Sequence, residues 1–169
     1  IKRRFERWFK LRFVILYPFG IFIVLTAHST DQSILQGFGF ILAGLLLRSW
    51  ANGYAIKSEK LTTSGPYAFV RHPLYLGTML LIVGIIIMLH LVYAGIIISL
   101  AMIFAYIRTI KREEVLLENN FKDEFRDYKK SVPAMVPALK PYRKGEKWPF
   151  SWERLFKSHE YKIFLWMII

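Results

Sequence analysis

Apolar residues fall into four runs along the 169-residue chain, over 11–27, 34–56, 74–89 and 91–107. The second is unbroken to Leu47 and goes on as a polar-flecked stretch to Ile56. Each run approaches the roughly 20 helical residues that cross a hydrocarbon layer about 30 Å thick. Pro18 and Gly20 inside the first are tolerated where neighbouring helices satisfy the freed carbonyls. The last two runs are separated by little more than His90, which predicts a tight antiparallel helical hairpin. Small residues on its faces (Gly77, Gly84, Ala94, Gly95, Ser99, Ala101, Ala105) allow close helix approach. Past 107 the pattern turns polar and helical. Leu117, Phe121, Phe125 and Tyr128 recur at spacings of four, four and three, the stripe of an amphipathic helix over 111–130. Lys129 and Lys130 suit its C-terminal dipole, and Pro133 and Pro137 stop it. The predicted fold class is an all-α integral membrane protein with four transmembrane helices. One domain covers 1–147, and an aromatic tail covers 148–169, whose apolar run 163–169 is too short to span and reads as interfacial.

Charge gives this layout a direction. The formal net charge is +12, yet 54% of residues are hydrophobic. That pairing argues against a nucleic-acid binder, which sets its basic residues on a hydrophilic fold. It also argues against disorder. Of 24 Lys and Arg residues, six precede the first span's core, four lie between the second and third spans, and fourteen follow from Arg108 onward. The connections at 28–33 and around His90 carry none. By the positive-inside rule both termini, the loop 57–73 and the helix 111–130 are cytoplasmic, as in a multi-pass protein of a prokaryotic inner membrane. Residues 1–12, with Phe5, Trp8 and Phe9 among the cations, read as an interfacial lead-in on anionic lipid rather than a signal peptide. The absence of cysteine excludes disulfides, thiolate metal sites and a cysteine nucleophile. The four histidines fall in three separate places, so no metal constellation is expected.

The chemistry concentrates in the loop from Lys60 to Gly77, which packs Gly-Pro, Arg-His-Pro and two tyrosines into few residues. Pro73 forces His72 out of helical geometry, so the third helix starts at or just after Pro73. His72 then sits at a helix N-terminus, where main-chain N–H groups at His72–Tyr75 suit a carboxylate. Gly65-Pro66 makes a turn that brings Tyr67 toward the same end.

These residues resemble the signature of the isoprenylcysteine carboxyl methyltransferase family, with its phospholipid methyltransferase relatives. The elements are Gly65-Pro66-Tyr67, Arg71-His72-Pro73-Leu74-Tyr75, the paired Glu113-Glu114, and Tyr128-Lys-Lys-Ser-Val-Pro133. Their order and spacing agree with the family over about residues 40–140. The resemblance implies an integral-membrane enzyme that transfers methyl from S-adenosylmethionine to a lipophilic acceptor entering from the bilayer. Carried over by position, the cofactor contacts are Lys60, Leu61, Thr62, Tyr67, His72, Pro73, Leu74, Tyr75 and Glu113. Chemically, Glu113 suits the cofactor's ammonium or ribose hydroxyls, and Tyr67 or Tyr75 its sulfonium. Asn52 and Lys57 are further candidates for that site's lining.

The family places a basic, acceptor-holding residue one helical turn before the first glutamate. Here that slot is Thr109, flanked by Arg108 and Arg112, and Arg108 is the expected acceptor residue. A carboxylate acceptor on an isoprenoid-type molecule is favoured, and it needs no base. The alternative is N-methylation of a phospholipid amino headgroup, for which Glu114 or His72 would accept a proton. If neither arginine faces the site, the amine or a neutral lipid gains weight. The competing class is a non-catalytic membrane scaffold or partner subunit; the near absence of ionisable groups inside the spans argues against ion transport.

Overall fold

The computed structural model describes residues 27–56 and 60–158, and within them all regular structure is helical. The expected lead-in 1–12, all but the last residue of the first expected span, Lys57, and the tail beyond 158 lie outside the described residues. Helix α1 is Asp31–Tyr54, α2 is Pro73–Met88, α3 is Val92–Ser131 and α4 is Trp152–Lys157, with a short 3-10 turn at Gly65–Ala68. Thr30 caps α1: its hydroxyl accepts from the Ser33 N–H while the Ser33 hydroxyl accepts from the Thr30 N–H. The polar-flecked stretch after Leu47 continues this helix to Tyr54, as the pattern predicted. Pro73 opens α2 at a position where its missing N–H costs nothing.

Two helices, α1 and α3, are long and apolar enough to cross a membrane, and the 16-residue α2 is a shorter apolar helix. Their outward faces carry Leu35 (73% exposed), Ile97 (69%) and Leu100 (63%), an apolar surface that suits lipid better than water.

The closest helix contact lies between α1 and α2. A methyl group at Gly37 would meet the Gly84 carbonyl oxygen at 2.5 Å, and one at Gly44 would meet that of Gly77 at 2.7 Å. Both pairs repeat at seven residues, so one stripe of each helix is bare and the backbones touch. Ile41, Leu45 and Leu81 fill the seam between them. Polar clamps close it at each end. Ser33 donates to the Met88 carbonyl at 3.2 Å, and Arg48 donates to the Leu74 carbonyl at 3.3 Å and to the Thr78 hydroxyl. This corrects the expected role of Gly77 and Gly84, which serve α1 rather than the α2–α3 hairpin. The hairpin turn is short, with His90 at φ 54°, but α2 leans on α1 far more than on α3. Gly95, against Ile86, is the small residue that does serve the hairpin.

Helix α3 differs from expectation in a second way. The apolar run and the amphipathic stretch are one continuous helix, and the break comes later, at Lys122 (φ 43°, ψ −115°). In a straight helix Glu114 and Lys129 would stand roughly 22 Å apart. Here their charged groups are 2.9 Å apart, so the chain doubles back at Lys122. The folded-back arm buries Phe125, Tyr128 and Val132 against Leu61, with Leu117, Phe121 and Tyr142 around them. The segment after Ser131 then wraps the 60–72 loop through Ala138 N–H to Phe69 O, Tyr142 N–H to Ala68 O and Trp148 N–H to the Ser64 hydroxyl.

Candidate active site

The 60–72 loop is shaped by two constraints. Gly65 sits at φ 60°, where a side chain would also strike the Tyr54 ring, and Pro66 follows at the start of the 3-10 turn. The turn presents the Tyr67 carbonyl to the Tyr128 hydroxyl, which donates at 2.6 Å. Beyond it the backbone is pinned to the segment after α3: Arg71 N–H donates to Pro133 O at 2.9 Å and His72 N–H to Ala134 O at 3.1 Å. His72 therefore enters α2 already fixed. Its N–H, expected to face an anion, is spent on Ala134, and Pro73 has none; of the expected donors, Leu74 and Tyr75 remain.

From α3 one face meets this corner. Tyr106, Ile110, Glu113, Leu117 and Phe121 follow one another at three- and four-residue spacing. Tyr75 donates to Glu113 Oε2 at 3.0 Å, and the Tyr75 ring lies 5.6 Å from His72 and 5.0 Å from Tyr106. His72 is 5% exposed; its Nδ1 is 3.7 Å from Glu113 Oε2 and its Nε2 is 3.5 Å from Glu114 Oε1. That Nε2 is buried without a hydrogen-bond partner among the described residues. Glu113 keeps its side chain 45% exposed, so it can reach a ligand.

Glu114 is placed otherwise. Its carboxylate lies 2.8 Å from the Arg71 guanidinium and 2.9 Å from the Lys129 ammonium. Arg71 also donates to the Lys129 and Val132 carbonyls at 2.7 and 2.9 Å, capping the end of α3 with a cation. Burial alone would raise the Glu114 carboxyl, but the Lys129 hydrogen bond and the Arg71 charge hold it below the ordinary range. Burial lowers the His72 imidazole despite the carboxylates of Glu113 and Glu114, so it is neutral near pH 7. Burial, seconded by the Glu113 charge, pushes the Tyr67 phenol well above its usual value and keeps it un-ionised.

The structure thus gathers His72, Pro73, Tyr75, Glu113 and Glu114. Leu61 is a core residue under Tyr128, and the Thr62 hydroxyl accepts from the Ile56 N–H at 3.1 Å. Lys60 pairs with Glu146 at 3.0 Å and lies 4.5 Å over the Trp148 ring. With Asn52, Ile56, Trp148 and Arg154 it lines a cavity of about 380 Å³. Arg108 is not brought to the cluster. It stands five residues before Glu113, about 140° around the helix, exposed and with its guanidinium 4.6 Å over the Phe104 ring. Arg112 is exposed as well, and Thr109 in the expected slot bonds back to Ala105 O at 2.9 Å. Sequence reasoning passed over Tyr106, whose signal was its position seven residues before Glu113. It also read Lys129 only as a helix-dipole charge.

Comparison with known proteins adds relatives to this geometry. The phospholipid methyltransferase family model matches residues 34–124, which holds all but the first three residues of α1, the whole of α2 and both glutamates. The nickel-cobalt-cadmium resistance protein NccN of Alcaligenes xylosoxydans xylosoxydans is 40% identical over 87 residues, 52% of this chain and 40% of that protein. Protein-S-isoprenylcysteine O-methyltransferase of Schizosaccharomyces pombe is 31% identical over 133 residues, 72% of this chain and 56% of that one. The Rattus norvegicus enzyme of the same name is 34% identical over 97 residues, 54% of this chain and 34% of that one. The chain spans between about a third and just over half of the length of these relatives. No solved structure matches it.

Proposed function

Because the chain belongs to the phospholipid methyltransferase family, we propose that it transfers a methyl group from S-adenosylmethionine to a lipid-borne acceptor at the cytoplasmic face. The observation that carries this is the cluster at the start of α2, where a buried neutral His72, Tyr75, Tyr106 and a half-exposed Glu113 converge. The residues fit the cofactor. Glu113 would take its ammonium or ribose hydroxyls, the Tyr75 and Tyr106 rings its sulfonium, and the cavity beside Lys60 its nucleoside end. Trp148 Nε1, buried without a partner among the described residues, also favours a polar ligand in that cavity.

When bound, the cofactor supplies an activated methyl group on a sulfonium. What the protein adds is alignment and exclusion of water, since an in-line displacement gains most from holding two partners in register. The Arg71–Glu114–Lys129 pairing fixes where His72 and Glu113 stand relative to each other. Glu114, held ionised by two cations, is a poor proton acceptor. For an amine acceptor that role falls to the neutral imidazole of His72, whose Nδ1 lies on the Glu113 side.

The two acceptor classes separate on charge. A carboxylate acceptor asks for a cation in the site, yet Arg108 and Arg112 are exposed off the Glu113 face and Arg71 and Lys129 are engaged by Glu114. We therefore favour a lipid amine over an isoprenoid carboxylate.

The test is calorimetry of S-adenosylmethionine with the protein in nanodiscs, followed by lipid extracts incubated with methyl-labelled cofactor. Binding that is lost in His72→Ala and Glu113→Gln, with label in a base-stable amine, is the expected result. Absence of binding sinks the enzyme reading and returns the scaffold alternative; label released by mild base sinks the amine assignment alone.

A further inference from the structure

Beyond the family-matched segment the chain carries a surface that methyl transfer leaves unused. Pro133 O, Ala134 O, Ala138 N–H and Tyr142 N–H all bond to the backbone of residues 68–72, and the Tyr142 ring packs edge-on to Tyr128 at 5.3 Å. These anchors hold the stretch between them as an ordered projection. At its tip Leu139 is 101% exposed and Val136 71% exposed. A fixed loop that presents one aliphatic side chain wholly outward and a second largely so offers an apolar tip to be covered.

The surroundings say by what. Lys140, Arg143, Lys144 and Lys147 have no acidic partner among the described residues. Of the acids whose charge reaches this patch, Asp127 is engaged by Lys130 at 3.6 Å and Glu146 by Lys60 at 3.0 Å, which leaves Glu124 beside Tyr142 against three cations. Lys140, Arg143 and Lys144, with the hydroxyl-bearing Ser131 and Tyr142, line an open concavity of about 660 Å³. Position completes the case. Ala134 is bonded to His72, the residue before the apolar helix α2, so the projection starts at that helix's end. Ala138, the residue before Leu139, is bonded to Phe69 four residues before α2, so the tip stays beside the end of that apolar helix.

We propose that residues 136–144 form a bilayer anchor. Val136 and Leu139 insert among acyl chains, and Lys140, Arg143 and Lys144 receive the phosphate-bearing headgroups of anionic lipid in the concavity. The anchor is independent of the acceptor and of methyl transfer itself.

Because the chain has no cysteine, a single Leu139→Cys carries a nitroxide label at one place only. The exposed side chain makes the substitution harmless to folding, which an unchanged melting temperature verifies. In nanodiscs of phosphatidylglycerol and phosphatidylcholine, the label at 139 is expected to collide more with oxygen than with a water-soluble nickel chelate, and a Lys144→Cys label the reverse. Reversing Lys140, Arg143 and Lys144 to Glu is expected to abolish the oxygen excess at 139, as is replacing all phosphatidylglycerol by phosphatidylcholine. A label at 139 as accessible to nickel as the one at 144 overturns the anchor. So does one shielded from both reagents, the signature of a protein partner. Oxygen access indifferent to the charge reversal overturns the headgroup site.

Discussion

Two adjacent glutamates on α3 have opposite fates because a helix turns about 100° between them. Glu113 points to Tyr75 and solvent, whereas Glu114 is 9% exposed and bound by Arg71 and Lys129. Glu114→Gln leaves the buried Arg71 cation unpaired, and should cost about 3 kcal/mol of stability, the range for breaking a buried ion pair from one side. Glu113→Gln should leave the melting temperature nearly unchanged and lose the rise that S-adenosylmethionine gives the parent protein. Thermal melts of both variants with and without the cofactor check the pair. His72 adds a pH signature. Its folded-state pKa lies below the ordinary 6.5, so between those values the unfolded chain binds more protons and stability falls as pH falls. The melting temperature should therefore decline from pH 7 toward 5, and His72→Gln should flatten that decline. The acidic limb, where Glu114 is finally protonated, lies below its ordinary 4.5. The sequence motif brought His72, Tyr75 and both glutamates to notice, but it could not assign them their tasks. That assignment depends on Lys129, 15 residues beyond Glu114, and only the reversal of α3 brings it back.

Hydropathy located the helices well because a lipid-facing helix needs no periodic pattern, only length without charge. It did not reveal which small residues face which neighbour. Glycine is legible as small but silent about its partner, and Gly77 and Gly84 meet α1 rather than α3. Gly44→Ala should push the α1–α2 backbones apart at Gly77 and cost about 1–3 kcal/mol, the usual penalty of overpacking. Gly39→Ala, with open space around it, should be neutral or stabilising by up to about 1 kcal/mol through helix propensity. Denaturation of the two variants in the same detergent separates contact from propensity. Helix α3 was harder still. Its amphipathic stripe runs through Lys122 without a Gly, Pro or change of period, so nothing local announces the break. The reversal is imposed by burial of Phe125, Tyr128 and Val132 and by the ion pairs across it. A lysine at φ 43° and ψ −115° is strained. Lys122→Gly should relieve it and raise stability by about 1 kcal/mol, the low end of such strain. An unchanged or lowered melting temperature would show that this backbone costs the lysine nothing.

At the scale of the molecule the polar chemistry is gathered at one end. Ser33 and Met88 meet near the Thr30 and His90 turns, where the connections 28–33 and 89–91 carry no Lys or Arg. Arg48, Tyr54, the 60–72 loop, both glutamates and the segment 131–158 share the opposite end. The same axis therefore sorts charge and site, and the positive-inside rule leads us to propose that this end faces the cytoplasm. A chain free of native cysteine permits a direct test: His90→Cys should react with a membrane-impermeant maleimide in intact cells, and Lys144→Cys only after lysis. The reverse labelling would refute the orientation, and equal labelling of both would refute the crossing of the bilayer between them. The outcome bears on catalysis as much as on topology. A charged cofactor does not cross lipid unaided, so under the proposed function the His72 cluster is supplied only from the compartment it opens to. If residue 144 proved external, Glu113 and Tyr75 would face away from the cofactor's source, and the residues that fit S-adenosylmethionine would have to serve another ligand.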